Sequence, residues 1–189
     1  WFFYTPILGC TDSLASNYNP LATIDDSSCV YCNHTVIVST TNVSCNGDNN
    51  GTIIVTAGGG VPPFQYSLGG GLSQTNGTFT NLTAGTYSVD VTDVNGCMIF
   101  QIVVITEPPV LNISVSSTDE TSAFNDGSAT ASIFGGIPPY NYTWSNGGTT
   151  NPQVNLTPDL YTVNVTDANG CVISDSTFVN AYNLTGIIN

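Results

Sequence analysis

Between residues 36 and 179, apolar positions recur at every second residue in short runs separated by Gly, Pro, Asn and Asp. TIIVTA (52–57), FQYSL (64–68), TYSVDVT (86–92) and IFQIVVIT (99–106) are such runs. SATASIF (128–134), YNYTW (140–144), YTVNVT (161–166) and CVISDSTFV (171–179) follow in the same order. A period of two, with β-branched and aromatic residues in the apolar slots, predicts half-buried β-strands. No segment sustains the spacing of an amphipathic helix, so almost no helix is expected outside residues 1–35.

The two sets of strands are copies. Gly51 aligns with Gly127, Gly59 with Gly135, Pro62 and Pro63 with Pro138 and Pro139, and Tyr66 with Tyr142, all at an offset of 76. Leu82 and Leu156, Tyr87 and Tyr161, Asp93 and Asp167, and Cys97 and Cys171 align at an offset of 74. One two-residue length change between positions 68 and 82 reconciles the offsets. Gly-Gly-x-Pro-Pro punctuates between two strands, where Pro cannot join a central ladder. Asp-x-Asn-Gly (93–96 and 167–170) reads as a tight hairpin turn, its Gly available for a positive φ.

Six or seven short strands in roughly 75 residues predict a β-sandwich. The expected fold is therefore all-β: two tandem immunoglobulin-like sandwiches, residues 36–108 and 109–189, behind a small turn-rich, disulfide-bearing loop module at 1–35. Residues 1–8 read as the end of a preceding element. LTAGTY and LTPDLY resemble the tyrosine-corner pattern, which assigns Tyr87 and Tyr161 hydroxyls to the backbone a few residues upstream. Glu107-Pro108-Pro109 would stiffen the junction between copies.

The pattern DGSATASIFGGIPPYNYTWSNG…LYTVNVTDANGC resembles the SprB-type repeat of giant surface adhesins in gliding Bacteroidota, and the likeness covers residues 36–179. The resemblance implies cell-surface display, secretion by the type IX pathway and a role in adhesion or gliding. It implies no catalytic residues. It also implies a disulfide: such repeats often carry cysteines at the positions of Cys45 and Cys97, which in a sandwich can meet at one end, so these two are expected to pair. The second copy has Thr121 at the position of Cys45, leaving Cys171 as a buried free thiol or a link to a neighbouring chain or module.

GCTDSLASNYNPLATIDDSSC (9–29) lacks strand alternation and resembles a short GCTD…NYNP module found between domains of secreted Bacteroidota proteins. Cys10 and Cys29 bracket it and form the second expected pair. Cys32 is left without an assigned partner. Asp12, Asn17, Asn19, Asp25 and Asp26 are hard oxygen donors of the kind Ca²⁺ takes, although the EF-hand frame is absent. The same side chains also make Asx-turns. The cofactor expectation is none, or Ca²⁺ on these oxygens.

Composition narrows the rest. The 189 residues include no Lys or Arg and thirteen Asp plus Glu, a formal charge of −13. Phosphate backbones and anionic lipids need cationic partners, so neither nucleic acid nor membrane insertion is expected. Hydrophobic residues at 41% exclude a disordered chain, and six Cys point to an oxidising compartment, which the resemblance implies is the bacterial cell surface. His34 is the one histidine, which leaves a nucleophile system little to work with. Cys29, Cys32 and His34 have zinc-ligand types without an evident fourth ligand.

The expected function is non-enzymatic: a stalk or spacer segment of a long secreted adhesin or filament. Its partners would be neighbouring repeats, surface glycans or other cells. One alternative is a carbohydrate-binding module with Tyr140, Tyr142 and Trp144 as a stacking face, although alternation turns such a strand face to the core more often. Another is a pilus-like polymer in which WFFYTPIL and NLTGIIN complete neighbours by strand addition. Asp12-Ser13-Leu14 and Asp175-Ser176-Thr177 resemble a Bacteroidota O-glycosylation motif, making Ser13 and Ser176 candidate acceptors.

Overall fold

The computed structural model describes residues 5–121 and 125–182, so the first half of WFFYTPIL and all of NLTGIIN lie outside the described residues. Fourteen strands and no helix occur among the described residues. They fall into two compact units. The first comprises the chain up to Asn42 together with Asn49–Thr106; the second comprises Val43–Asp48 and the chain from Glu107 on.

The first unit opens with two-residue strands β1 (Leu8–Gly9) and β2 (Ile24–Asp25), paired in parallel. Its sandwich contains β3 (Thr35–Thr41), β4 (Gly51–Gly58), β5 (Gln65–Leu68), β6 (Thr78–Leu82), β7 (Gly85–Thr92) and β8 (Met98–Ile105). One antiparallel sheet has the order β3-β4-β6 and the other β5-β7-β8. The second unit repeats this with β9 (Asn112–Thr118), β10 (Gly127–Phe134), β11 (Asn141–Trp144), β12 (Gln153–Leu156), β13 (Asp159–Thr166) and β14 (Val172–Val179). Its sheets are β9-β10-β12 and β11-β13-β14.

Alternation places the cores. Ile53 and Val55 of β4, Val89 and Val91 of β7, and Val103 and Ile105 of β8 point inward, while Ile54, Ile102 and Val104 between them are exposed. In the second unit Ala129 and Ala131 face Val163, Val165 and Val179, and Trp144 fills the volume the two alanines leave. Burying a side chain of that size stabilises by roughly 1.5–3 kcal/mol. The first and last strands of this unit are tied across the sandwich edge: Asp175 Oδ2 accepts the Val115 amide at 3.2 Å, and Ser117 Oγ donates to Phe178 O at 2.8 Å.

The copies match in detail. Both carry a register shift at the start of their second strand, after Gly51 and at Gly127/Ser128. Asn81 and Asn155, equivalent positions, adopt left-handed backbone with φ of 57° and 58°, a conformation Asn tolerates better than most residues.

Two boundaries differ from the sequence expectation. The module ahead of Thr35 is part of the first compact unit, not a separate body. Residues 43–48, which the repeat alignment assigns to the first copy, belong to the second unit. Asn46 Nδ2 donates to Pro108 O at 3.0 Å, the Gly47 amide donates to Glu107 Oε2 at 3.0 Å, and Asn169 Nδ2 donates to Ser44 O at 2.9 Å. These bonds hold the segment against the chain that opens the second sandwich.

Candidate functional site

The chemistry-bearing residues gather where Gly-Gly-x-Pro-Pro meets Asp-x-Asn-Gly-Cys, once in each copy. In the second copy Asp167 is 3% exposed. Its Oδ2 accepts the Ile137 amide at 2.9 Å, and its Oδ1 accepts the amides of Asn169 and Cys171, each at 2.9 Å. In the first copy Asp93, 5% exposed, does the same: Oδ2 accepts Val61 N at 3.0 Å, and Oδ1 accepts Asn95 N at 2.9 Å and Cys97 N at 3.0 Å. One carboxylate thus fastens the hairpin turn to the Gly-Gly loop some thirty residues earlier.

Burial acts to raise the Asp93 carboxyl pKa, but the amides of Val61, Cys97 and Asn95, with His34, outweigh it and hold it below the usual carboxylate value. Asp167 is held down in the same way, its burial outweighed by the amides of Ile137, Cys171 and Asn169. In a chain without Lys or Arg, backbone dipoles take the part that cations take elsewhere. His34 is the one side chain that adds to them. Its Nε2 stands 3.2 Å from Asp93 Oδ2, both side chains 2% exposed. The ring nitrogen is off the line of a hydrogen bond, so the two groups meet by distance alone. The ring packs edge-on to Phe64 at a centroid distance of 5.9 Å.

The glycines before the Pro pair are required by this approach. Gly135 and Gly136 have φ of 70° and 61°, and a Cβ on Gly135 would fall 1.9 Å from Val110 O. A Cβ on Gly60, φ 62°, would fall 2.0 Å from a ring carbon of His34. Only Gly permits that backbone to pass so close.

The disulfides correct the sequence reading. The bonds are Cys10–Cys29, Cys32–Cys97 and Cys45–Cys171, and no cysteine is free among the described residues. Cys45 does not pair with Cys97, and Cys171 is not a free thiol: of the alternatives expected for it, it takes the link to a neighbouring module, bonding a cysteine that the repeat alignment assigns to the first copy. The reason is geometric. Cys97 lies at the end of the sandwich where β3 begins, beside Asp93, Val61 and His34. Cys45 follows the seven-residue β3 and folds with the second unit, whereas Cys97 belongs to the first. Cys32, just ahead of β3, reaches Cys97 with a Cα separation of 5.5 Å, and Cys45 reaches Cys171 at 5.7 Å. Bonding to Cys10 and Cys97 also removes Cys29 and Cys32 as zinc thiolates.

The tyrosines stand as corners. Tyr87 Oη donates to Thr83 O at 2.8 Å and Tyr161 Oη to Thr157 O at 3.0 Å. Each acceptor follows a left-handed Asn by two residues, so Asn-Leu-Thr-x-x-x-Tyr is one structural unit in both copies.

The five candidate calcium residues are engaged in turns. Asp12 Oδ1 accepts Leu14 N, Asn19 Oδ1 accepts Leu21 N, Asp25 Oδ1 accepts Ser27 N and Asp26 Oδ1 accepts Ser28 N, at 2.9–3.0 Å. Asn17 bridges Val30 N and Ser28 O, while Asp12 Oδ2 takes the Tyr31 hydroxyl at 2.6 Å. That hydroxyl, with the Leu14 amide, holds the Asp12 carboxyl below its ordinary value, and its Asp12 bond raises the Tyr31 pKa. Among the described residues no three His, Cys, Asp or Glu side chains gather closely enough to hold a metal. The same oxygens thus serve Asx-turns and local backbone bridges within the module.

Trp144 is 2% exposed and its Nε1 donates to Thr150 O at 3.0 Å. Tyr140 and Tyr142 pack against the same core, and Tyr140 Oη donates to Gly135 O. The stripe is core and offers no sugar-stacking face. Ser13 and Ser176 are both exposed.

Two antiparallel three-plus-three sandwiches, each with a tyrosine corner and a disulfide beside its Asn-Gly turn, define a tandem of immunoglobulin-like β-sandwich repeats. The SprB repeat family model matches residues 37–73 and 123–149, once in each copy. No curated protein matches it in sequence. Among solved structures, the three N-terminal domains of the bacteriophage RB49 highly immunogenic outer capsid protein are similar at 20% identity, over 78% of this chain and 59% of that one, with a TM-score of 0.48. The N-terminal eight Ig domains of Down syndrome cell adhesion molecule are 12% identical over 78% of this chain and 24% of that one, TM-score 0.42. A C-terminal 282-residue fragment of intimin, solved with the translocated intimin receptor's intimin-binding domain, is 11% identical over 77% and 64%, TM-score 0.40. The chain spans less than two thirds of each. No helix among the described residues is long and apolar enough to cross a membrane.

Proposed function

We propose that this chain is a non-enzymatic stalk segment of a long, secreted bacterial surface adhesin. The observation that carries the reading is the pair of SprB repeats in tandem, each sandwich closed by a disulfide at its Asn-Gly-Cys turn. The disulfides suit an oxidising exterior. The polar residues that would serve catalysis are engaged otherwise: the two buried aspartates accept backbone amides, and six cysteines are bonded.

In this reading the repeats hold a more distal binding element away from the cell, and export follows the type IX route, with gliding or adhesion as the outcome. The partners are neighbouring repeats of the same chain and, through the distal element, glycans or other cells. Antibodies raised against residues 36–179 are expected to label intact cells of the source organism along extended surface material. Labelling that appears only after permeabilisation overturns the proposal.

A further inference from the structure

We infer that the Cys45–Cys171 bond takes residues 46–170, every sandwich strand but β3 and β14, out of the path along which tension travels through the chain. The inference deepens the stalk reading and rests on it for its biological use; the covalent topology stands without it.

A pulled chain transmits force along its shortest covalent route, and a disulfide is a short cut that unfolding does not remove. Tension entering ahead of Cys10 crosses to Cys29, follows the backbone to Cys45, crosses to Cys171 and leaves toward Asn189. Of the 188 peptide steps between the first and last residues, the two bonds bypass 19 and 126, leaving 43. At about 3.4 Å per step the oxidised chain can reach roughly 15 nm, against roughly 64 nm for the reduced one. Both hydrophobic cores lie within the bypassed length, apart from Val43 and Val179. Loading the chain to its covalent limit therefore does not draw out either set of central strands.

The third bond has a different task. Its cysteines interlace with those of the clamp, in the order 32, 45, 97, 171. The loaded path passes from Cys32 to Cys45 along the backbone, so Cys32–Cys97 carries no load while the clamp is intact. Once the clamp is lost, Cys32–Cys97 becomes the short cut. Losing the clamp then releases 126 steps less the 65 that Cys32–Cys97 still bridges, or 61, about 20 nm.

The segment that makes this possible is Val43–Asp48. It leaves the first unit after Asn42, sits in the second, and returns at Asn49. Had Cys171 found its partner within residues 107–189, the loaded path would run through Cys32–Cys97 and then along β8 (Met98–Ile105) of the first sandwich.

The test is single-molecule stretching of the full chain between handles at its two ends, reading the contour length at full extension. Oxidised wild type is expected to stop at roughly 15 nm. C45S/C171S is expected to gain about 20 nm, and C32S/C97S to gain nothing. Full extension reports covalent connectivity, but a variant that fails to fold can mispair its remaining cysteines. Reducing the oxidised wild type while it is held under load therefore serves as the second measurement, and a total gain of about 49 nm is expected. An oxidised wild type that stretches well beyond 15 nm overturns the inference. So does a reductant-insensitive length, or a longer wild-type-like chain in properly folded C32S/C97S. A chain that stretches as stated but is never found at the cell surface defeats the stalk reading alone.

Discussion

Asp167 Oδ2 accepts the Ile137 amide at 2.9 Å, joining two turns thirty residues apart in sequence and closing one end of the second sandwich. Asp93 and Val61 make the same bond at 3.0 Å in the first. These carboxylates are the structural centre of the repeat, and their environment makes definite predictions.

Replacing Asp167 with Asn keeps the size but puts an amide donor where the Ile137 amide needs an acceptor. Leaving one such group unsatisfied costs about 1–3 kcal/mol. The melting temperature of the second unit is expected to fall by several degrees in Asp167→Asn and further in Asp167→Ala, which orphans all three amides. Asp93→Asn should act in the same direction on the first unit. Calorimetry of each variant checks this, and an unchanged transition in Asp167→Ala would remove the carboxylate from its role.

The same two groups set an acid limit. Both carboxyls titrate below their ordinary value in the folded chain. A depressed folded pKa contributes stability that is complete above the unfolded value, near pH 3.9 for Asp, and that is lost as pH falls through the folded value. Stability is therefore expected to hold from neutral pH down to about pH 4–5 and then decline. The decline should be shallower in the Asp93→Asn/Asp167→Asn double variant. Urea midpoints measured at a series of acid pH values test the sign. Stability that rises on acidification below pH 4 contradicts it.

The tyrosine corners should be separable from burial of the rings. Tyr161→Phe keeps the packing and removes the bond to Thr157 O, with an expected loss of about 0.5–1.5 kcal/mol. Tyr87→Phe should lose less, because that hydroxyl bond is more exposed. Equal stability of Tyr161→Phe and wild type would mean the hydroxyl merely exchanges its partner for water.

Calcium should leave the protein unchanged. The Asx oxygens of residues 12–26 already accept backbone amides at hydrogen-bond distance. Melting curves with millimolar calcium and with chelator are expected to coincide. A rise in melting temperature with calcium, abolished by Asp12→Ala, would show that the turns open to admit an ion.

What was legible in the sequence followed from local rules. Alternation located the strands, because each faces one core, and LTxxxY located the tyrosine corners, because donor and acceptor lie four residues apart. Asp93 and Asp167 were legible as turn residues and no more: the Val61 and Ile137 amides they accept are brought near by the sandwich, not by the chain. The cysteines misled for a related reason. Pairing Cys45 with Cys97 assumed that each copy closes its own frame and that both residues sit at one end. Cys45 instead lies beyond β3 in Val43–Asp48, which folds with the other unit. A loop's allegiance to one body or the next leaves no periodic mark in sequence.

The disulfide pattern is the most direct test of this account, since both the closure of the repeats and the clamp depend on it. Non-reducing peptide mapping must use a protease other than trypsin, because the chain has neither Lys nor Arg. Digestion of the natively folded, oxidised chain is expected to yield Cys45 joined to Cys171 and Cys32 joined to Cys97. A peptide in which Cys45 is joined to Cys97, with Cys171 alkylated as a free thiol, would contradict it.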